Sequence, residues 1–127
     1  MLEREISEFL ERYGDAFNRV AADEIAEMYH LPSLTVRGDG SLQVFTDLGD
    51  VRDFMETVAM TYYDEGNRAS SFDELSVLPA GGQSAVASLR WTLRRDDGTP
   101  IREWRQTYNL IRSKNSWQLL LSTFHRP

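Results

Sequence analysis

The chain contains no cysteine among its 127 residues. Without cysteine it cannot form a disulfide framework, a thiolate metal site or a cysteine nucleophile. A thiol-free sequence is also compatible with a reducing compartment, and we therefore expect a cytoplasmic protein.

Long apolar runs and clustered positive charge are also missing. No apolar stretch approaches the roughly 20 residues that a membrane-spanning helix needs, and the N-terminal stretch MLEREISEFLER is acidic and amphipathic, unlike a signal peptide. The 14 basic residues are outnumbered by 20 acidic ones, which gives a net charge of −6. A nucleic-acid-binding protein would need a basic face against this background. We expect neither nucleic acid nor membrane as a partner.

Sequence motifs for phosphate, metal or acyl chemistry are absent as well. The glycines at 38, 40, 81 and 82 are too closely grouped for a phosphate loop and are typical of turns. No set of His, Asp and Glu has the spacing of metal ligands, and no serine lies in a nucleophile elbow. The sequence therefore predicts no cofactor and no metal.

Apolar residues at spacings of three and four predict three helices in the first half of the chain. The first helix carries Leu2, Ile6, Phe9, Leu10, Tyr13 and Phe17; the second, Ile25, Met28 and Tyr29; the third, Val51, Phe54, Met55, Val58 and Tyr62. Pro32 would end the second helix, and Asp47 or Asp50 would cap the third.

The remaining segments alternate with a period of two and predict strands. Residues 33–45 resemble a short hairpin around a Gly-Asp-Gly turn, and further strands are expected at about 70–78, 85–95, 101–112 and 117–125. Together the pattern predicts one domain, residues 1–127, of the α+β class. A curved antiparallel sheet would pack on the three helices and form a cone whose open mouth is a natural cavity.

The order of elements, with LERYGDAFNRVAADEIAEMY near the front and RQTYNLIRSKNSWQLL near the end, resembles the nuclear transport factor 2-like superfamily. This superfamily includes ketosteroid isomerases, scytalone dehydratase, polyketide cyclases and the association domain of calcium/calmodulin-dependent kinase. The resemblance extends over essentially the whole chain. It implies the cone fold and a homodimer formed through the convex face of the sheet, but not one activity, because this fold hosts many.

The resemblance to the ketosteroid isomerases is partial. Tyr13 stands where their tyrosine donates a hydrogen bond to the enolate, and Asn18 also fits the pattern. That chemistry also needs a carboxylate base and a protonated acid, yet neither 35–38 nor 89–93 contains an acid. A dehydratase would need a His–Asp pair inside the cone, whereas His30 and His125 lie at the ends of predicted elements.

Strand alternation predicts which side chains face the helices. The inward set comprises Leu89 and Trp91 on one strand and Trp104, Gln106, Tyr108 and Leu110 on the next. On the last strand, Trp117, Leu119, Leu121, Thr123 and His125 share a face. The convex face would then carry Leu120, Phe124, Thr107, Asn109 and Thr92, and its apolar content favours a dimer.

A ligand-binding site follows from the inward set. Three polar residues would orient a ligand and four aromatic residues would form the walls. The polar residues are Tyr13, Gln106 and Tyr108; the aromatic ones are Phe17, Phe54, Trp91 and Trp104. Arg90 would add an anion-binding group if a β-bulge turned it inward.

Three functions remain open from the sequence. The first is binding of a small, mostly apolar molecule in the cone. The second is a cofactor-free enzyme of the polyketide-cyclase, hydratase or isomerase kind, with Asp15, Asp39 or His125 moving a proton. The third is a non-catalytic homodimerisation module whose cone is filled by its own side chains.

Overall fold

Three helices pack on one six-stranded sheet in the computed structural model, which describes residues 1–125. The helices are α1 Leu2–Asn18, α2 Ala22–Glu27 and α3 Leu48–Asp64. The strands are β1 Tyr29–Val36, β2 Leu42–Phe45, β3 Ala69–Pro79, β4 Ser84–Arg94, β5 Pro100–Ser113 and β6 Ser116–Phe124. The predicted α+β architecture is confirmed.

The helices bury the apolar stripes that the sequence predicts. Ile6, Leu10 and Ile25 are completely buried beneath the sheet. Gly14 lets α1 approach β4 closely, because a Cβ atom at this position would lie 3.1 Å from the Trp91 ring. Asp47 caps α3, with its side chain accepting a hydrogen bond from the Gly49 amide.

The second helix ends earlier than predicted. It stops at Glu27, and Tyr29 is the first residue of β1. Tyr29 pairs with Leu119 of β6, and the Leu119 amide donates to the Met28 carbonyl. Sheet pairing and burial of the Tyr29 ring therefore outweigh the helical spacing of residues 25–29.

The strands lie in the order β2-β1-β6-β5-β4-β3. All neighbours are antiparallel except β1 and β6, which run parallel. The predicted sheet was wholly antiparallel. The difference arises because β6 inserts between the β1–β2 hairpin and the meander of β3, β4 and β5. β6 thereby becomes an inner strand, although it is the last one in the described chain.

A β-bulge interrupts β6 at Leu120. Leu110 of β5 pairs with Leu119, whereas the preceding β5 residue, Asn109, pairs with Leu121. Leu120 is thus the extra residue, and the side chains that follow it change face relative to regular alternation.

The bulge reverses the predicted faces of the residues beyond it in the last strand. Leu121 and Thr123 were grouped with Leu119, but they pair with Asn109 and Thr107 on the convex side. Phe124 was expected on the convex face, but it lines the concave side together with Ser122. His125 was expected on the same face as Leu119, but its Nε2 lies 2.7 Å from Thr107 Oγ1 on the convex side. The sequence pattern misses this because one inserted residue reverses the parity of the positions beyond it.

No helix in residues 1–125 is both long enough and apolar enough to cross a membrane. The cytoplasmic location stays a prediction.

Candidate functional site

A cavity of about 180 Å³ lies between the concave face of the sheet and helices α1 and α3. Its lining is mostly aromatic and aliphatic. The lining residues are Tyr13, Gly14, Phe17, Tyr29, Thr35, Arg37, Phe54, Met55, Val58, Tyr62, Ser70, Trp91, Leu93, Trp104, Gln106, Tyr108, Ser122 and Phe124.

Seven of the eight predicted ligand-binding residues line this cavity. They are Tyr13, Phe17, Phe54, Trp91, Trp104, Gln106 and Tyr108. They meet because α1 and α3 present their apolar stripes to β4 and β5. The pairing of these two strands is regular from Ser84 to Leu93 of β4, so side chains alternate between the two faces. Their role in binding stays a prediction.

Arg90 lies outside the cavity, which corrects the eighth assignment. Its guanidinium donates two hydrogen bonds to the Asp73 carboxylate, at 3.0 and 2.7 Å, and lies 3.7 Å from Glu74. The pairing of β4 with β5 is regular here, so Arg90 faces opposite to its neighbour Trp91. The register shift that would have turned Arg90 inward lies instead in β3, between Asp73 and Ser76.

Three buried tyrosines form the polar end of the cavity. The hydroxyls of Tyr13 and Tyr29 are hydrogen-bonded to each other, and the Tyr108 hydroxyl accepts a 2.8 Å hydrogen bond from Trp91 Nε1. In the Tyr13–Tyr29 pair, one hydroxyl donates its proton to the other, so one hydroxyl proton of the pair is not used. Among the described residues, no acceptor is found for the other proton of that pair or for the Tyr108 proton. Two donors therefore remain for a guest molecule.

The same burial keeps these hydroxyls protonated. Desolvation raises the pKa of Tyr13 well above its ordinary value, and the neighbouring Tyr29 and Tyr108 raise it further. Burial likewise raises the pKa of Tyr29 and of Tyr108, against an opposing effect of the hydrogen bond from Tyr13 or Trp91 respectively. The cluster thus offers neutral O–H donors and disfavours a phenolate.

Gln106 is fixed by its neighbours on the concave face. Its Oε1 accepts a 2.8 Å hydrogen bond from Trp104 Nε1, and its Nε2 donates to Ser122 Oγ. These two hydrogen bonds explain why an amide is tolerated on an apolar inner face. It also orients the Trp104 ring, which forms one wall of the cavity.

The aromatic walls contact one another edge to face, at a tilt or, for Trp104 and Phe124, stacked. Tyr13 and Phe17 have ring centroids 5.0 Å apart, in a T-shaped arrangement. Trp104 links Tyr62, at 5.8 Å, with Phe124, at 6.5 Å. Such packing fixes the positions of the rings, which form a preformed surface against which a flat apolar molecule can pack.

Several lining residues were not predicted as part of the site. Tyr29 was assigned to a helix, and Phe124 to the wrong face. Thr35 and Arg37 follow buried Ser33 at intervals of two, so alternation along the first hairpin could have identified both. Tyr62 was already on the predicted inner face of α3, and its place in the lining follows from that.

The candidate proton-transfer groups lie elsewhere. Asp15 is exposed and pairs with Arg19 at 3.0 Å, and His125 contacts Thr107. Asp39 lies in an exposed turn, where its Oδ1 accepts hydrogen bonds from Ser41. Within the described part of the chain, no Asp, Glu or His lines the cavity.

Solved structures with this fold cover nearly the entire chain. An NTF2-like protein with a cystatin-like fold from Novosphingobium aromaticivorans is 16% identical, with a TM-score of 0.76 over 97% of this chain and 80% of that chain. The protein Aln2 from a Streptomyces species is 14% identical, with a TM-score of 0.80 over 98% and 90%. An NTF-2 like protein of unknown function from Shewanella oneidensis is 16% identical, with a TM-score of 0.75 over 99% and 100%.

At these identities the structural likeness establishes the fold alone. No functionally curated protein matches the sequence. The family model described as NTF2-like protein (DUF6841), however, matches residues 4–127. The chain therefore belongs to this NTF2-like family.

Proposed function

We propose that the protein binds a small, mostly apolar molecule that carries at least one hydrogen-bond acceptor. The observation that supports this is the apolar cavity of about 180 Å³ whose buried end has two hydroxyl protons with no acceptor among the described residues. Neither donor has an acceptor among the described residues, and a carbonyl or ether oxygen of a guest would provide one. The aromatic walls favour a flat ring system.

A neutral aromatic ketone tests this proposal directly. We expect 2-acetonaphthone to bind, and naphthalene, which lacks the acceptor, to bind about 2- to 10-fold more weakly. Isothermal titration calorimetry measures both. Val58→Trp places a large ring in the cavity and should abolish binding, whereas Met60→Trp, on the exposed side of the same helix, should not. Unchanged ketone affinity in Val58→Trp would refute the cavity as the site.

Catalysis of the cyclase, hydratase or isomerase kind is less well supported. A tyrosine hydroxyl can polarise a carbonyl, but the reaction also needs a group that moves a proton within hydrogen-bond reach. In the described residues the carboxylates and histidines lie outside the lining. Binding is therefore the function that the lining favours.

We also propose that the protein forms a homodimer through the convex face of the sheet. Two rows of paired residues support this at the β2 end: Val44, Leu34 and Leu121 in one row, and Leu42, Val36 and Thr123 in the other. Leu42 and Val44 are 58% and 59% exposed. An apolar sheet surface of this kind is usually covered by a partner.

The charges on the same face suit a second copy of the chain. Arg90 and Arg105 contact Asp73 and Glu74, so both signs lie side by side. A two-fold interface brings a surface against itself, and mixed charge can pair across it. Light scattering coupled to size-exclusion chromatography should give twice the 14.6 kDa chain mass at micromolar concentration; the monomer mass would refute this proposal.

A further inference from the structure

Two turns in this protein have the same sequence pattern and the same hydrogen bonds. They are RGDGS, residues 37–41, and RDDGT, residues 95–99. In each, the arginine amide donates to the carbonyl of the fifth residue at 2.9 Å, and the fourth-position glycine donates back to the arginine carbonyl. The third-position aspartate accepts from the amide and hydroxyl of the fifth residue. The first residues of the two turns, Arg37 and Arg95, can therefore be compared directly.

The two arginines differ in their surroundings. Arg95 is exposed, and its guanidinium donates only to Thr99 Oγ1 and the Pro100 carbonyl among the described residues. Arg37 is half-buried and lines the cavity. It extends the inward-facing series of β1, and its Nη2 donates to Gln43 Oε1 at 2.6 Å. The turn alone does not require an arginine directed at the cavity.

The Arg37 guanidinium donates to no carboxylate within residues 1–125, although Ser41 Oγ, one of its acceptors, donates in turn to Asp39 Oδ1. Its Nη1 donates to Ser41 Oγ and the Leu42 carbonyl, at 3.3 and 3.4 Å, and all three of its acceptors are neutral. A guanidinium has five N–H groups, so two remain for another acceptor. Arg37 is also the one charged residue in the described lining. A partly buried guanidinium that contacts no carboxylate directly can still pair with an anionic guest through its remaining N–H groups.

We propose that Arg37 binds the carboxylate of the ligand, which makes the ligand class small aromatic or alicyclic carboxylates. This inference rests on the proposed function of the cavity. A carboxylate matches the planar fork of arginine and carries the single charge that one arginine can balance. The carboxylate binds at the half-buried end of the cavity, and the ring lies along the aromatic walls toward the buried tyrosines.

The experiment compares two probes of nearly the same shape, 2-naphthoate and 2-acetonaphthone, by calorimetry at pH 7. The carboxylate of the first replaces the acetyl group of the second. Arg37→Met keeps an unbranched apolar stem and removes the guanidinium with its charge. We expect this variant to bind 2-naphthoate about 10- to 100-fold more weakly and the ketone within about 2-fold of the wild type. Arg95→Met, the matched control, should bind both probes as the wild type does.

The outcomes separate the two proposals. If the wild type binds the ketone and Arg37→Met loses no naphthoate affinity, the carboxylate assignment is wrong and the cavity proposal stands. Equal losses for both probes in Arg37→Met, or for naphthoate in Arg95→Met, also overturn the assignment. If the wild type binds neither probe, both proposals fail.

A second variant covers the case in which Arg37→Met does not fold. Arg37→Lys keeps the charge and loses the fork, so the preference for naphthoate over the ketone should fall but not vanish. An unchanged preference in the lysine variant would contradict recognition by the guanidinium.

Discussion

Each of the buried tyrosine hydroxyls has a different partner, and the partner decides what its removal would do. Tyr13 and Tyr29 bond to each other, whereas Tyr108 accepts from Trp91 and keeps its own proton for the cavity. Tyr108 therefore accepts from an indole that forms a wall and, under the proposed function, also donates to the guest. A change at this residue should affect stability and binding together.

Tyr108→Phe should lower both the free energy of unfolding and the affinity for a ligand. The Trp91 indole would be left without its buried acceptor, which destabilises the fold by about 1–3 kcal/mol, measured by urea denaturation. Affinity for 2-acetonaphthone should fall about 2- to 10-fold, because one neutral hydrogen bond is lost. Tyr63→Phe, at a partly exposed residue of α3 outside the lining, is the control and should change neither. Wild-type affinity in Tyr108→Phe would remove this hydroxyl from the site.

The tyrosine cluster also predicts an alkaline limit to stability. The pKa values of Tyr13, Tyr29 and Tyr108 are raised in the folded protein, so the unfolded chain loses these protons first, from about pH 10 upward. The contribution of these tyrosines to the free energy of unfolding should be constant below that pH and then fall by up to about 1.4 kcal/mol per pH unit for each tyrosine.

Urea unfolding followed by tryptophan fluorescence between pH 8 and 11.5 measures this slope. Tyr13→Phe removes one titrating group, so its slope above pH 10 should be shallower than that of the wild type. A stability that stays flat from pH 9 to 11.5 in the wild type would show that the hydroxyls are not buried as described.

At the residue scale, alternation predicted the concave lining well where the ladder is regular. Trp91, Trp104, Gln106 and Tyr108 lie on β4 and β5, which pair without interruption between them. The Ser122 partner of Gln106 and the Trp91 partner of Tyr108 could not be predicted in the same way, because each lies on a neighbouring strand and depends on register. The place of Arg37 in the lining was not predicted, because a turn alone explains an arginine at this position.

At the scale of the element, the bulge in β6 has the largest effect on the site. Because Leu120 is inserted, Ser122 faces Gln106 and Phe124 stacks near Trp104. Without it, both side chains would lie on the convex face. No residue in WQLLLSTF marks this insertion, since leucine is as common in regular strands, and the sequence therefore could not reveal it.

Deleting Leu120 should restore regular alternation at the expense of the cavity. Gln106 would lose Ser122, and the aromatic wall would lose Phe124. We expect a larger loss in the free energy of unfolding than Leu120→Ala produces, together with loss of 2-acetonaphthone binding. Leu120→Ala keeps the bulge and is the control. A deletion variant that is as stable as Leu120→Ala and still binds the ketone would contradict this account of the strand.

The boundary between α2 and β1 shows why short elements are difficult to assign. Residues 25, 28 and 29 have helical spacing, yet six residues make a helix of fewer than two turns, whose stability depends on packing. The parallel partner of β1 comes from the end of the chain, some 90 positions away. A local pattern contains no information about that partner.

At the scale of the whole molecule, the dimer proposal concerns the apolar end of the convex face. Val44→Asp places a charge at its centre and should convert a dimer into a monomer, because burying an unpaired carboxylate is unfavourable. Light scattering over a concentration series measures the shift. Met60→Asp adds the same charge on an exposed helix surface and should leave the mass unchanged. A Val44→Asp protein with the wild-type mass would place the interface elsewhere.

The position of β6 has a consequence for how the chain reaches this structure during synthesis. β6, which follows all the other strands in the described chain, joins the β2–β1 hairpin to the β5–β4–β3 sheet. Until it leaves the ribosome, a nascent chain has two separate sheet fragments, each with an open edge beside β6. The cavity is lined from both fragments, so it is completed only after β6 has been translated. Until then the open edges are the part of the molecule that a chaperone would have most reason to shield.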